Sequence, residues 1–117
     1  MKTGSELLSE ARGRITEVSV EQVMDMRRRG ERVTLLDVRD PQEVNVCKIP
    51  GAVAISRGNL ESKIEAQVPR DAQVIIYCAS GNRSVFATET MHQMGYANVA
   101  SMAGGIRRWI ELGGEVE

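Results

Sequence analysis

Short apolar runs alternate along this chain with segments whose apolar residues recur every three to four positions. The run at residues 74–77 is continuously apolar, which is typical of a strand buried on both faces at the centre of a sheet. Strands separated by helical crossovers predict βαβ units, and therefore an α/β fold with a parallel sheet and helices on both faces. The predicted strands are residues 15–18, 33–36, 52–55, 74–77 and 98–102.

Capping residues mark where the helices begin. Thr3 and Glu6 form a capping box ahead of an apolar stripe, so a short N-terminal helix is predicted before the domain itself. A second capping box begins at Ser19. We therefore predict a helical extension over residues 1–14 and one domain over residues 15–117.

Composition excludes several classes of function. The chain has 117 residues, 15 Lys plus Arg against 16 Asp plus Glu, and 3% aromatic residues, so neither nucleic acid nor an anionic membrane is an expected partner. No apolar stretch approaches the roughly 20 residues of a membrane span, and no signal peptide is visible, so a cytoplasmic location is expected. Cys47, Cys78 and the single His92 match no metal-ligand spacing. We expect two free thiols, no metal and no cofactor.

The loop after the central strand carries the richest chemistry. In parallel sheets ligands bind beyond the carboxyl ends of the strands, and the small residues there let successive amides face a common centre. These amides and the positive end of the following helix favour a thiolate at Cys78. A cysteine that ends an apolar strand is more often inert packing, but the loop, helix and arginine together favour a nucleophile. The predicted substrate-binding residues of this loop are Ala79, Ser80, Gly81, Asn82, Arg83 and Ser84.

Other polar residues follow neighbouring strands. Arg83 has two open interpretations, one pointing at the oxygens of an anion and one pairing outward with a carboxylate. Arg57 either recruits anionic donors or is simply solvated. Asp37 is predicted to orient Arg39 or loop amides and thus to support the site. Cys47 is predicted at the sheet edge opposite the loop, too far for a disulfide, because a strand of five residues spans roughly 17 Å.

Four short motifs occur in order: LDVRDP at 36–41, IPGA at 49–52, CASGNRS at 78–84, and the glycine pair 104–105 followed by Trp109. Together they resemble a single-domain rhodanese, a sulfurtransferase. The resemblance implies a three-layer fold with a five-stranded parallel sheet, and a cysteine that carries a persulfide. It also implies a small anionic sulfur donor such as thiosulfate and an acceptor that is cyanide or a thiol, including a protein thiol. The family commonly has Gly and His where this chain has Cys and Lys at 47–48, so a role for that histidine does not carry over.

Two alternatives stay open. A phosphatase of the dual-specificity type or an arsenate reductase has five residues between its cysteine and arginine, whereas four separate Cys78 from Arg83. The smaller ring suits one sulfur atom better than a phosphoryl group. The second alternative is a rhodanese-like sulfur-relay or interaction module, which would receive its persulfide from a protein partner.

Overall fold

Five parallel strands form one sheet in the order β1-β5-β4-β2-β3 in the computed structural model, which describes residues 1–117. The strands are β1 (Glu17–Val18), β2 (Thr34–Asp37), β3 (Val53–Ala54), β4 (Val74–Tyr77) and β5 (Val99–Met102). The helices are α1 (Gly4–Arg12), α2 (Val20–Arg28), α3 (Pro41–Val46), α4 (Leu60–Gln67), α5 (Arg83–Gln93) and α6 (Gly105–Glu111).

Strand β4 lies at the centre of the sheet, as its continuous apolar run predicts. All four of its residues are buried, and it pairs with β2 on one side and β5 on the other. Ile76 lies opposite Leu36 of β2 and opposite Ser101 of β5. The predicted α/β fold with a five-stranded parallel sheet is confirmed.

Two apolar clusters, one on each face of β4, make up the core. Ile76 and Cys78 belong to the cluster covered by α4 and α5, and Ile75 and Tyr77 belong to the cluster covered by α2 and α6. This division follows from the alternation of side chains along a strand. Cys78 is thus placed on the α5 face.

Helix α1 is docked against the domain. Its capping box forms as predicted, since the Thr3 hydroxyl accepts from the Glu6 amide at 3.1 Å and the Glu6 carboxylate accepts from the Thr3 amide at 3.4 Å. Ala11, near the end of α1, is fully buried, and α1 packs against α5. No helix of the structure combines the length and the apolar character that crossing a bilayer requires.

The edge strands and Cys47 differ from expectation. Strands β1 and β3 have two residues each, shorter than predicted, and each pairs with one neighbouring strand. Cys47 does not lie at the opposite edge of the sheet: its carbonyl accepts from Arg39, which follows the carboxyl end of β2, at 2.7 Å. Strand β3 begins opposite Leu36, the third residue of β2. Both cysteines are free.

Candidate active site

The loop from Cys78 to Ser84 is shaped by a glycine. Cys78 directly follows β4, and α5 begins at Arg83, so the loop has to reverse within four residues. Gly81 adopts a φ of 100°, a left-handed conformation that other residues rarely adopt. A Cβ at this position would lie 3.0 Å from the amide nitrogen of Gly104. The backbone can therefore turn tightly only because residue 81 lacks a side chain.

The sulfur of Cys78 lies at the centre of this turn. Sγ accepts hydrogen bonds from the amides of Gly81 at 3.2 Å and Ser84 at 3.4 Å, and the Ser84 hydroxyl lies 3.5 Å away. Burial raises the pKa of the thiol, but hydrogen bonds from the Ser84 hydroxyl and from the amides of Ser84, Gly81 and Ser80 outweigh it, so the pKa is lowered. The loop favours a thiolate.

A second buried hydroxyl lies behind Ser84. The Oγ atoms of Ser84 and Ser101 are 2.8 Å apart, and both residues are fully buried. Ser101 lies on β5 and was not among the residues predicted from the sequence. The sequence does contain a signal for this residue, because Ser101 is the one polar residue in the apolar run 99–102. The β4–β5 register places Ser101 beside the loop.

The glycine pair 104–105, where α6 begins, lets that helix touch the loop backbone. The amide of Ile106 donates to the Cys78 carbonyl at 2.9 Å, and the amide of Arg107 donates to the Ala79 carbonyl at 3.1 Å. A Cβ at Gly105 would lie 2.5 Å from the Ala79 oxygen, and closer still to the Cys78 oxygen. Close backbone approach thus explains this glycine, whose φ is 60°.

Arg83 is paired with a carboxylate from α3. Its Nη1 and Nη2 donate to Oε1 and Oε2 of Glu43 at 2.7 and 2.9 Å, and 38% of its side chain is exposed. The Arg83 hydrogen bonds lower the pKa of Glu43 to about 2. Of the two sequence interpretations, the structure shows the carboxylate-paired one, at the rim of the loop. Glu43 also caps α3, since its carboxylate accepts from the Asp40 amide at 3.0 Å.

Arg57 is not brought to the loop. Its guanidinium donates to Glu61 and to Thr90, each at 3.0 Å, and no hydrogen bond joins it to residues 78–84. Its predicted role in recruiting anionic donors stays a prediction.

Asp37 and Arg39 form a buried ion pair below α3. Arg39 Nη2 donates to Asp37 Oδ2 at 2.7 Å, and the exposed fractions of the two side chains are 5% and 0%. The same nitrogen donates to the Cys47 carbonyl, and Arg39 Nη1 reaches the Glu43 carbonyl at 3.4 Å. The pair therefore ties the end of β2 to α3, which carries the partner of Arg83. Neither residue forms a hydrogen bond to Sγ.

Three further observations concern the surroundings of the loop and the rest of the chain. Arg12 of α1 reaches the loop from outside, with Nη2 lying 3.5 Å from the Gly81 oxygen and 3.4 Å from Asn82 Oδ1. No cluster of three His, Cys, Asp or Glu side chains is arranged to hold a metal ion. His92, the sole histidine, is exposed at the end of α5. What the geometry can support is nucleophilic attack by a thiolate held in a ring of amides.

Comparisons with known proteins identify chains of similar sequence and fold. The family model for the rhodanese-like domain matches residues 19–112. A sulfurtransferase of Allochromatium vinosum is 36% identical over 83 residues, which cover 71% of this chain and 77% of that protein. The putative sulfur carrier protein YrkF of Bacillus subtilis is 32% identical over 109 residues, which cover 93% of this chain and 58% of YrkF. A solved structure from Rhodopseudomonas palustris, described as a protein of unknown function and possible tyrosine phosphatase, superposes with a TM-score of 0.90 at 32% identity, covering 100% of this chain and 96% of that one.

Proposed function

The chain belongs to the rhodanese-like domain family, and on that premise we propose that it transfers sulfane sulfur through a persulfide on Cys78. The observation that carries the proposal is the pair of backbone amides that donate to Sγ, with the Ser84 hydroxyl 3.5 Å away, which favours a thiolate without a neighbouring base. A thiolate is the form of cysteine that attacks sulfur.

The proposed reaction has two steps. The Cys78 thiolate attacks the outer sulfur of a donor such as thiosulfate, the S–S bond of the donor breaks, and sulfite leaves with the electron pair. An acceptor, cyanide or a thiolate, then attacks the outer sulfur of the persulfide and releases the Cys78 thiolate, which gives ping-pong kinetics. The loop amides point at Sγ, so they stabilise the thiolate before the first step and the negative charge that returns to Sγ in the second step. The free thiols suit a reducing compartment such as the cytoplasm.

A sulfur carrier is the second candidate. It is favoured by the likeness to YrkF over 93% of this chain and by the burial of Cys78, of which 1% is exposed. A carrier would accept sulfur from a protein persulfide and pass it to a protein partner, with the same chemistry at Cys78. Phosphatase chemistry is less favoured, since the loop has one residue fewer between Cys78 and Arg83 than a phosphate-binding loop needs.

Intact-mass spectrometry after incubation with thiosulfate tests the proposal. We expect one added sulfur atom on the wild type and on Cys47→Ser, none on Cys78→Ser, and loss of the added mass when cyanide is supplied. Continuous thiocyanate formation identifies a free-standing enzyme, whereas loading from a protein persulfide without turnover on thiosulfate identifies a carrier. Sulfur retained on Cys78→Ser, or hydrolysis of an aryl phosphate with no loading from either donor, would overturn the proposal.

A further inference from the structure

The hydroxyl of Ser101 has one hydrogen-bond partner, Ser84 Oγ at 2.8 Å. Ser101 is fully buried on β5, and its backbone amide is already bound to the Thr16 carbonyl at 2.9 Å. Ser84 Oγ therefore lies between two groups, Ser101 Oγ and Cys78 Sγ, the latter at 3.5 Å. The three side chains form a short buried chain from the nucleophile into the sheet.

The number of hydrogens on these three side chains suits one protonation state of Cys78. With a neutral thiol, three hydrogens on Cys78, Ser84 and Ser101 share two hydrogen-bond contacts, so one hydrogen is left without an acceptor in a buried place. With a thiolate, Ser101 donates to Ser84 Oγ and Ser84 donates to Sγ, and every hydrogen is used. Leaving a buried donor without a partner costs free energy, so the arrangement favours loss of the thiol proton to solvent.

We propose that Ser101 is a positioning residue, whose hydroxyl turns the hydrogen of Ser84 onto the sulfur of Cys78. Without the Ser101 hydroxyl, no side chain other than Cys78 donates a hydrogen bond to Ser84 Oγ, and the Ser84 hydroxyl is free to rotate away from Sγ. The effect of Ser101 must then pass entirely through Ser84. This inference rests on the proposed function only in taking Cys78 as the nucleophile.

The charged groups around the loop do not replace this contact. None of them forms a hydrogen bond to Sγ, and substitution of either serine leaves their charges unchanged. They are Arg83 with its partner Glu43, Asp40 at the start of α3, Arg12 of α1, and the buried pair of Asp37 and Arg39.

The test measures how fast iodoacetamide alkylates Cys78 as a function of pH, in a Cys47→Ser background so that one thiol reacts. In this background, we expect Ser101→Ala to lower the rate about 3-fold at pH 6.5 and Ser84→Ala to lower it about 10-fold, because a hydrogen bond to a charged group is stronger than one between neutral groups. In both variants the midpoint of the profile moves to higher pH. Ser84→Ala and the double variant should coincide.

Two further variants distinguish the effect of the Ser101 hydroxyl on the midpoint from the effect of altered packing. Ser101→Thr keeps the hydroxyl and should keep the midpoint within a few tenths of a pH unit of the background protein. Thr88→Val removes another fully buried hydroxyl, which donates to the Ser84 carbonyl at 2.7 Å and not to Sγ, and should shift the midpoint less than Ser101→Ala. Urea unfolding shows whether each variant is folded.

Two results would overturn the inference: an unchanged midpoint in folded Ser101→Ala, or an equal shift whether or not Ser84 is present. Alkylation requires no sulfur donor. A protein that fails to transfer sulfur but shows the coupled shift would therefore refute the proposed function and leave the role of Ser101 standing.

Discussion

Replacing Gly105 with alanine tests how tightly α6 presses on the loop. The added Cβ would lie 2.5 Å from the Ala79 oxygen, against the 3.0 Å below which Cβ atoms essentially never approach another heavy atom. The start of α6 must then move by about half an ångström or more, in a protein interior that is closely packed. That movement strains the hydrogen bonds from Ile106 and Arg107 to the carbonyls of Cys78 and Ala79.

The expected loss has two parts. The left-handed backbone of residue 105 costs a residue with a Cβ about 1 kcal/mol. Two weakened hydrogen bonds add about 1 kcal/mol each, which brings the loss in free energy of unfolding to about 3 kcal/mol. At about 4 °C per kcal/mol, Tm should fall by about 12 °C. The rate of sulfur transfer should also fall under conditions where the variant is fully folded, because the displaced carbonyls belong to the loop that holds Sγ.

Gly113→Ala is the matched control. Gly113 has a φ of 80° and nothing within 4 Å of the position a Cβ would occupy, so its substitution measures the backbone cost alone. Urea unfolding should show a loss of about 1 kcal/mol for Gly113→Ala, with sulfur transfer retained. Equal losses for the two variants would refute the claim that the Gly105 contact holds α6 against the loop.

Three other outcomes are expected. Cys47→Ser should keep the rate of sulfur transfer within about 2-fold, because Cys47 packs against the cluster on the other face of the sheet; a large loss measured in a thiocyanate assay contradicts that separation. Arg83→Ala should raise KM for thiosulfate, and Glu43→Gln should lower it by freeing the guanidinium. Since the pKa of Glu43 is about 2, the Glu43→Gln effect should be constant from about pH 5 to 9, and an effect that disappears within that range argues against the ion pair. The lowered pKa of Cys78 means that ionisation stabilises the folded state fully above the unfolded thiol pKa of about 8.5, and that this stabilisation is lost as pH falls through the folded value. The free energy of unfolding of the wild type relative to Cys78→Ser should therefore rise with pH up to about 8.5, and a flat difference in urea titrations contradicts the thiolate.

Sequence patterns predicted the parts of the fold that are local. The central strand β4 was recognisable because burial on both faces makes its apolar run continuous, and the loop from Cys78 to Ser84 because its residues are adjacent in the chain. Strands β1 and β3 are too short, at two residues each, for any periodicity to fix their ends.

The missed contacts are those between elements distant in sequence. Ser101 meets Ser84 because of the β4–β5 register, and Glu43 meets Arg83 because the pair of Asp37 and Arg39 holds α3 over the loop. One sequence read by itself carries no direct record of either arrangement, so it does not distinguish the two orientations of Arg83.

The sheet separates the two thiols of this protein. Tyr77 and its cluster, with Cys47, occupy one side, and Cys78 occupies the other. If Cys78 carries sulfur as proposed, the sheet separates that sulfur from the molecule's own second thiol, and we expect it to leave to an external acceptor. The same separation leaves Cys78 without an internal resolving partner when an oxidant converts it to a sulfenic acid, so its recovery depends entirely on thiols supplied from outside.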